Sequence, residues 1–475
     1  MKKIKPLISL ILSMVLALLP ILYVNAGETQ YDVDCPYIYI HGFMGSDIYK
    51  DVNNPSGGLV WPPQGEKIKD AVFKALPYLG ELLITRNYDK FADKVFPLVT
   101  DMFYDSYLGY DGNVRDNSGV IWSYPAAESI NSKSQLKFVY DWRIDPIEVA
   151  AQLNDYIDYV LECSGSDYIV AEAHSYGGVI LTTYAKLYGT SKIKSWFYNS
   201  TAVFGEDYTG DLFTGGLEFD AESLTSYLDG VFDFNENEKL FDFLFKVLYK
   251  TGITASLCRL VNHMVDKIGL NKIGTYIIPM FGGWLSIWSM VPDDKIDDSY
   301  DYIFNTVYKD DGIDHSGLRA KVDDYNTRIR PYKAQTLNEI NENANLYVIA
   351  RYGYSAMFMT KSWRNEADTV IDLKYASFGA TAAPHGETLS DEQLSTSDGK
   401  YISPQKNIDA STCMFPEQTW FIRHMTHGMS PNCLEDFGKI LLYSDGQATV
   451  ETYEDFPRYL YYSETADALE KDNLQ

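Results

Sequence analysis

Short apolar segments alternate with amphipathic segments along the first half of the chain. Four of them are rich in β-branched and aromatic side chains and have the length of strands: residues 36–40, 136–140, 168–173 and 193–199. The segment that begins at Pro146 carries apolar residues at the three-and-four spacing of a helix, and helical spacing returns near Val179. Strands that alternate with helices predict a parallel sheet with right-handed crossovers, so we expect an α/β fold.

A long helical segment interrupts this alternation, which stops near Phe204 and resumes with the apolar residues 346–350. Two stretches inside the interruption, residues 240–248 and 277–291, are apolar on almost all sides and must be buried or must contact something apolar. We predict a helical cap over the carboxyl edge of the sheet, where open α/β sheets bind ligands. A separate helical domain is the alternative. The predicted division is a core in two parts, residues 27–204 and 346–475, with the cap at residues 205–345.

The first 26 residues differ from the rest of the chain. Three lysines precede an apolar run over residues 7–24, and small residues stand at Val24 and Ala26. This arrangement is typical of a secretory signal peptide, so we expect cleavage after Ala26 and a secreted protein. An uncleaved membrane anchor is the alternative, because the apolar run approaches the length that spans a bilayer.

Acidic residues dominate the charge of the chain. The formal net charge is −26, and loss of the three lysines of the first 26 residues would make it −29. This balance excludes phosphate-mediated binding of nucleic acid. The five cysteines are too few and too scattered for a disulfide framework or a paired metal motif, so we expect no metal site. Cys413 and Cys433 are the candidate disulfide pair.

A serine at a predicted strand-to-helix turn is the leading candidate for chemistry. Residues 173–177 read Ala-His-Ser-Tyr-Gly. A tight turn exposes the Ser175 hydroxyl, and the first free amides of the following helix, aided by its dipole, can stabilise an oxyanion beside it. Alanine at position 173 replaces the first glycine of the usual G-x-S-x-G pattern and is also small. An ordinary glycine-rich turn is the alternative.

A second glycine-containing loop follows the first predicted strand. Residues 41–46 read HGFMGS. Hydrolases with a serine at such a turn place their second oxyanion donor on a loop of this kind. Gly42 allows the backbone to turn so that the amide of Phe43 faces the serine. We therefore expect the amides of Phe43 and Tyr176 to form an oxyanion hole, with a plain surface turn as the alternative.

A serine nucleophile needs a basic histidine and an acid that orients this histidine. In folds of this type the chain order is serine, acid, histidine. The predicted last core strand, residues 419–423, leads into a glycine- and proline-containing loop that carries His427, which we choose as the base. His424 is the alternative, because strand ends are uncertain by a few residues.

The acid must lie between the returning strand and the histidine. Asp398 stands on an Asp-Gly turn in this interval, and we choose it, with Asp372 and Asp409 as alternatives. Asp-Gly turns are common in loops, so position in the chain is the reason for the choice.

These motifs, together with YDWR at residues 140–143 and WLSIWSMVP at residues 284–292, resemble the lecithin:cholesterol acyltransferase-like branch of the α/β-hydrolases, which includes lysosomal phospholipases. The matching residues extend over nearly the whole mature chain in the order of that family. The resemblance implies an α/β-hydrolase fold with a mobile lid and an acyl-serine mechanism on lipid esters. It also implies substrate-binding positions at His41, Gly42, Trp61, Trp284 and Trp288.

The combined prediction is a serine ester hydrolase, a lipase or phospholipase, or an O-acyltransferase that uses the same acyl-enzyme. Ser175 attacks the acyl carbon, His427 moves the proton and Asp398 orients His427. No cofactor is needed, because the base generates the nucleophile. The expected partner is a lipid or other ester, at a membrane or micelle surface. The alternatives are a non-catalytic relative that binds lipid or cell-wall polymer, and an esterase or amidase that acts on soluble acyl substrates.

Overall fold

The computed structural model describes residues 35–62, 65–225 and 249–473. The predicted signal peptide and the apolar stretch at residues 240–248 lie outside these ranges. Within the described ranges, no helix has both the length and the apolar character that a membrane span requires.

A mostly parallel sheet of eight strands forms the centre of the protein, which confirms the predicted α/β class. The strands are β1 (Tyr37–Ile40), β2 (Gln135–Phe138), β3 (Ile169–Ser175), β4 (Ile193–Thr201), β5 (Asn345–Tyr352), β6 (Thr419–Arg423), β7 (Tyr459–Ser463) and β8 (Ala468–Lys471). Across the sheet they follow the order β8-β7-β6-β5-β4-β3-β1-β2. Only the β7–β8 pair is antiparallel. The loops after β1, β3, β5 and β6 therefore begin at one edge of the sheet.

Helices cover both faces of the sheet, because residues along the inner strands are apolar on both sides. The helices are α1 (Gly65–Thr85), α2 (Tyr88–Phe103), α3 (Pro146–Ser164), α4 (Gly177–Tyr188), α5 (Asp207–Phe213), α6 (Ile253–Ile268), α7 (Leu270–Phe281), α8 (Leu285–Met290), α9 (Ile296–Tyr302), α10 (Ser316–Arg328), α11 (Lys333–Asn343), α12 (Leu373–Ala376), α13 (Asp391–Thr396) and α14 (Asn432–Leu442). Side chains of α3, α4 and α11 share one core with one face of the sheet. Those of α14 pack on the opposite face.

The described part of the segment between β4 and β5 is helical, and it packs directly on the core. The amide of Leu285 donates to the carbonyl oxygen of Arg143 in the core, at 3.0 Å. Inside the segment, the amide of Glu206 donates to the carbonyl oxygen of Met290, at 2.9 Å. Trp284 and Trp288 are buried in the main hydrophobic core. The apolar stretch at residues 277–291 is thus largely buried against the rest of the protein, which explains why it is apolar on almost all sides.

Helices α1 and α2 are separated where Arg86 adopts a φ of 57°. Strands β7 and β8 complete one edge of the sheet. One local expectation is corrected by the structure. Cys413 and Cys433 are both free thiols, so the candidate disulfide does not form.

Candidate active site

Ser175 lies at the apex of the turn between β3 and α4, as the sequence pattern predicts. Its φ is 57°, a conformation that costs a non-glycine residue about 1 kcal/mol or more and that is found at functional turns. Small neighbours are required there. A Cβ on Gly177 would lie 2.3 Å from the carbonyl oxygen of Ile40, and one on Gly178 would lie 2.4 Å from the Cβ of Thr201. The helix can therefore start against β1 and β4 only with glycine at both positions.

The HGFMGS loop passes directly over the serine. A Cβ on Gly42 would lie 2.6 Å from the Cβ and 3.0 Å from the Oγ of Ser175, so only glycine permits this approach. Within the described residues, neither the Phe43 amide nor the Tyr176 amide donates a hydrogen bond to the protein. Both predicted oxyanion donors are thus available, one on the loop beside the serine and one at the start of α4.

The YDWR motif holds this loop in place. The hydroxyl of Tyr140 donates to the carbonyl oxygen of His41, at 2.6 Å, and the two rings stack with centroids 4.2 Å apart. The indole nitrogen of Trp142 donates to the carbonyl oxygen of Ser46, at 3.0 Å. His41 itself is fully buried, and its Nδ1 lies 2.8 Å from the carbonyl oxygen of Gly42. His41 is therefore placed to shape the loop, and its burial does not favour the expected contact with substrate.

Burial explains the state of the His41 ring. Removal from water lowers the pKa of His41 to about 3, and Lys137 contributes in the same direction. The ring is thus neutral at physiological pH, so its Nδ1 can donate one hydrogen bond within the loop without a buried positive charge beside Ser175.

His427 and Asp368 form a buried pair at the same edge of the sheet. Nδ1 of His427 lies 2.7 Å from Oδ2 of Asp368, and the His427 amide donates to the Asp368 carbonyl oxygen at the same distance. The imidazole packs on the ring of His174, the residue before Ser175, with centroids 4.5 Å apart. The structure therefore brings the predicted base into contact with the residue that precedes the predicted nucleophile.

The acid that contacts His427 is Asp368, and the sequence-based choice of Asp398 is wrong in placement. Asp398 is on the surface, where its carboxylate caps a short helix by accepting from the Lys400 amide at 3.2 Å. Asp409 likewise caps a local turn, and Asp372 lies four residues beyond Asp368 in another buried cluster. A signal was present, since Asp368 stands among apolar neighbours typical of a buried site, whereas Asp398 stands in a polar stretch.

The backbone around Asp368 is arranged to hold its carboxylate. Oδ1 accepts from the amides of Val370 and Ile371, at 3.0 and 2.7 Å, which leaves Oδ2 for His427. Thr369, between them, has a φ of 84°, an unusual value for a β-branched residue. Burial alone would raise the pKa of Asp368, but His427, the Ile371 amide and Arg351 outweigh it and the pKa is lowered. Asp368 is thus an anion that accepts from Nδ1.

His424, the alternative base, faces another environment. Its ring packs against Tyr354 and Tyr461, with centroids 6.0 and 5.4 Å away, and its amide donates to the carbonyl oxygen of Tyr352. The Asp368 contact and the packing on His174 both belong to His427, so the geometry favours His427 over His424.

The three tryptophans implied as substrate contacts are interior residues. Trp61, Trp284 and Trp288 are at most 2 % exposed. The indole of Trp284 donates to the carbonyl oxygen of Ser106, at 3.2 Å, and contacts the ring of Phe43, with centroids 5.9 Å apart. Their burial favours a packing role over the expected contact with substrate, and Trp284 supports the ring of Phe43.

A cavity of about 640 Å³ opens beside the segment that follows Asp368. Most of its wall is apolar: Phe204, Tyr375, Phe378, Ala380, Pro384 and Met414. Its polar lining residues include Asn365 and Lys374. Its volume is in the range of small-molecule sites.

The described ranges contain no group of three or more histidine, cysteine or acidic residues that could hold a metal ion. No protein-family model matches the chain, and no curated protein matches it.

Proposed function

We propose that this protein is a secreted serine hydrolase that cleaves carboxylic esters through an acyl-serine intermediate. One observation carries the proposal: a buried Asp368–His427 pair, with Nδ1 2.7 Å from the carboxylate, packs against the residue that precedes a serine at a φ of 57°. A nucleophile, a base and an orienting acid in chain order Ser-Asp-His are what acyl transfer requires.

The proposed reaction begins when Oγ of Ser175 attacks the acyl carbon and its proton passes to Nε2 of His427. The Asp368 carboxylate keeps the proton of the neutral ring on Nδ1 and stabilises the imidazolium that forms. The amides of Phe43 and Tyr176 donate to the oxyanion. The alcohol then leaves with the proton of Nε2, and attack of water on the acyl-serine releases the acid. Loss of one oxyanion donor is expected to cost about a hundredfold or more in rate.

The proposed substrates are lipid esters. The wall of the apolar cavity includes Phe204, two residues from Ala202, whose amide donates to the carbonyl oxygen of Ser175 at 3.2 Å, whereas neither Ser175 nor His427 lines it. The resemblance to the lecithin:cholesterol acyltransferase-like hydrolases supports the same class and adds a lid, for which we propose the helical segment between β4 and β5. The apolar N-terminal segment supports secretion.

The experiment compares the wild-type protein with Ser175→Ala, His427→Ala and, as the matched control, His424→Ala. We expect turnover of p-nitrophenyl esters and labelling by a fluorophosphonate probe in the wild type and in His424→Ala. Ser175→Ala should lose both. Undiminished turnover by Ser175→Ala would remove Ser175 from its role, and an unlabelled wild type would indicate a non-catalytic binding protein.

Two further measurements separate the remaining alternatives. A rate that rises when the ester passes from monomers to micelles indicates a lipid substrate, whereas a soluble-acyl esterase or amidase shows no such rise. Transfer to an alcohol shares the acyl-serine and differs only in the second nucleophile, so product analysis with a long-chain alcohol distinguishes an acyltransferase from a hydrolase.

A further inference from the structure

The segment that carries His427 is a connection without regular secondary structure. We call residues 424–431, between β6 and α14, the His427 loop. Its backbone is tied at His424, whose amide donates to the carbonyl oxygen of Tyr352, and at His427, whose amide donates to that of Asp368. The imidazole can stay within hydrogen-bonding reach of a serine only if the rest of the loop is held as well.

Arg351 supplies that support from the end of β5. It is 1 % exposed, and its Nη1 faces three carbonyl oxygens of the His427 loop: Thr426 at 3.2 Å, His427 at 3.1 Å and Met429 at 2.7 Å. The carbonyl oxygen of His427 also lies 3.1 Å from Nε2 of His174. The residue proposed as the base is thus fixed through its own backbone oxygen as well as through Asp368.

The other side of the guanidinium is held by neighbouring strands. Nε and Nη2 of Arg351 both donate to Oδ1 of Asn199 on β4, at 3.1 and 2.7 Å. The side-chain nitrogen Nδ2 of Asn199 donates to Oε1 of Glu172 on β3, at 2.9 Å. Oε2 of Glu172 accepts from the hydroxyl of Tyr37 on β1, at 2.8 Å. A polar chain therefore crosses four adjacent strands under the His427 loop.

The contacts around residue 351 favour arginine over lysine at this position. A buried cation is costly, and attraction to the buried carboxylate of Asp368 and to the partly buried carboxylate of Glu172 offsets the cost. A planar guanidinium donates in two directions at once, toward Asn199 and toward the loop. Lysine would keep the charge but lacks this fork.

We propose that Arg351 is a positioning residue that sets the location of the His427 imidazole by binding the backbone of the His427 loop, with Asn199 and Glu172 fixing the orientation of its guanidinium. The inference rests on the proposed function for its effect on turnover. Arg351 does not touch the reacting atoms. Its effect is geometric, so a retained charge without the fork should not restore it.

The test compares Arg351→Lys and Arg351→Met with Arg458→Lys. Arg458 is a matched control, since it is also buried and also donates to a backbone carbonyl oxygen, that of Pro416, and to Glu417. We expect both Arg351 variants to lower kcat for a p-nitrophenyl ester about a hundredfold with little change in KM, because a displaced catalytic group costs about that much. Arg458→Lys should keep the wild-type kcat.

A second readout does not depend on turnover. The proton shared by Nδ1 of His427 and Asp368 should give a far-downfield proton resonance in the wild type and in Arg458→Lys, and it should be lost or shifted in both Arg351 variants. Asn199→Ala, which keeps the arginine, should change this resonance in the same direction and provides the test if the Arg351 variants fail to fold.

The outcomes distinguish this inference from the proposed function. Wild-type kcat and an unchanged resonance in Arg351→Lys would overturn the positioning role while the ester hydrolase stands. Equal losses in Arg351→Lys and Arg458→Lys would also overturn it, because they indicate general destabilisation. A wild type without esterase activity would reject the proposed function, and the resonance would still test whether Arg351 holds the loop.

Discussion

Replacement of Asp368 by asparagine is the sharpest test of the site. The change preserves shape and leaves an oxygen that can still accept from the Val370 and Ile371 amides, so the local turn should survive. It removes the negative charge 2.7 Å from Nδ1 of His427. An asparagine amide group facing Nδ1 also favours the tautomer with its proton on Nε2, which cannot accept the proton of Ser175.

The expected loss follows from the burial of the pair. Asp368 is fully buried, and an ion pair with charges roughly 4 Å apart at an effective dielectric constant of about 20 is worth about 4 kcal/mol. That energy stabilises the imidazolium only in the transition state and corresponds to about a thousandfold in kcat. The unfavourable tautomer adds to it, so we expect a loss of about 10³- to 10⁴-fold.

The assay is hydrolysis of a p-nitrophenyl ester by Asp368→Asn and by Asp398→Asn as the matched control. Asp398→Asn should keep wild-type activity, because Asp398 is on the surface and caps only a local turn. Thermal unfolding should show that Asp368→Asn remains folded. Activity of a folded Asp368→Asn within tenfold of the wild type, or an equal loss in Asp398→Asn, would refute the assignment of the acid.

Three further predictions concern stability, measured as the free energy of unfolding in urea. Gly177→Ala should lower this free energy by about 1–3 kcal/mol, because the new Cβ would lie 2.3 Å from the Ile40 carbonyl oxygen. The control Gly80→Ala should raise it slightly, since Gly80 in α1 has open space around it. Equal effects of the two changes would contradict the packing argument. Ser175→Gly should abolish turnover and yet raise stability by about 1 kcal/mol, since glycine accepts a φ of 57°, and a loss of stability would argue against strain. Burial and the neighbouring Asp207 raise the pKa of Asp372 to about 7. Between about pH 4 and 7 the folded state therefore keeps a proton that the unfolded state releases, and this contribution makes stability fall as pH rises. Asp372→Asn should flatten this pH dependence, and an unchanged slope would show that another group causes it.

Some of the site was predictable because local rules impose it. The turn at Ser175 needs a strand, a tight bend and small residues in sequence, and each of these leaves a mark in a few adjacent positions. The same holds for the loop at Gly42, which must approach the serine without a Cβ. The place of His427 on the loop after the last parallel core strand followed from the apolar pattern of residues 419–423.

Chain order and turn motifs could not assign the acid. Asp368 and Asp398 both lie between the same strand and the same histidine, and the chain order admits either. What separates them is burial: Asp368 is fully enclosed, whereas Asp398 is on the surface. A turn motif reports local conformation, but the distance from a carboxylate to an imidazole 59 residues away depends on how the whole intervening segment folds back.

Sequence by itself determined the α/β class, the turn that carries Ser175 and the loop that carries His427, because backbone geometry and apolar periodicity are encoded in neighbouring residues. Only the tertiary structure decided that Asp368 contacts His427, that Cys413 and Cys433 are free, that Trp284 packs in the interior and that Arg351 binds the His427 loop. The physical reason is the same in each case. These properties are contacts between distant segments, and they exist only once the strands have assembled into one sheet.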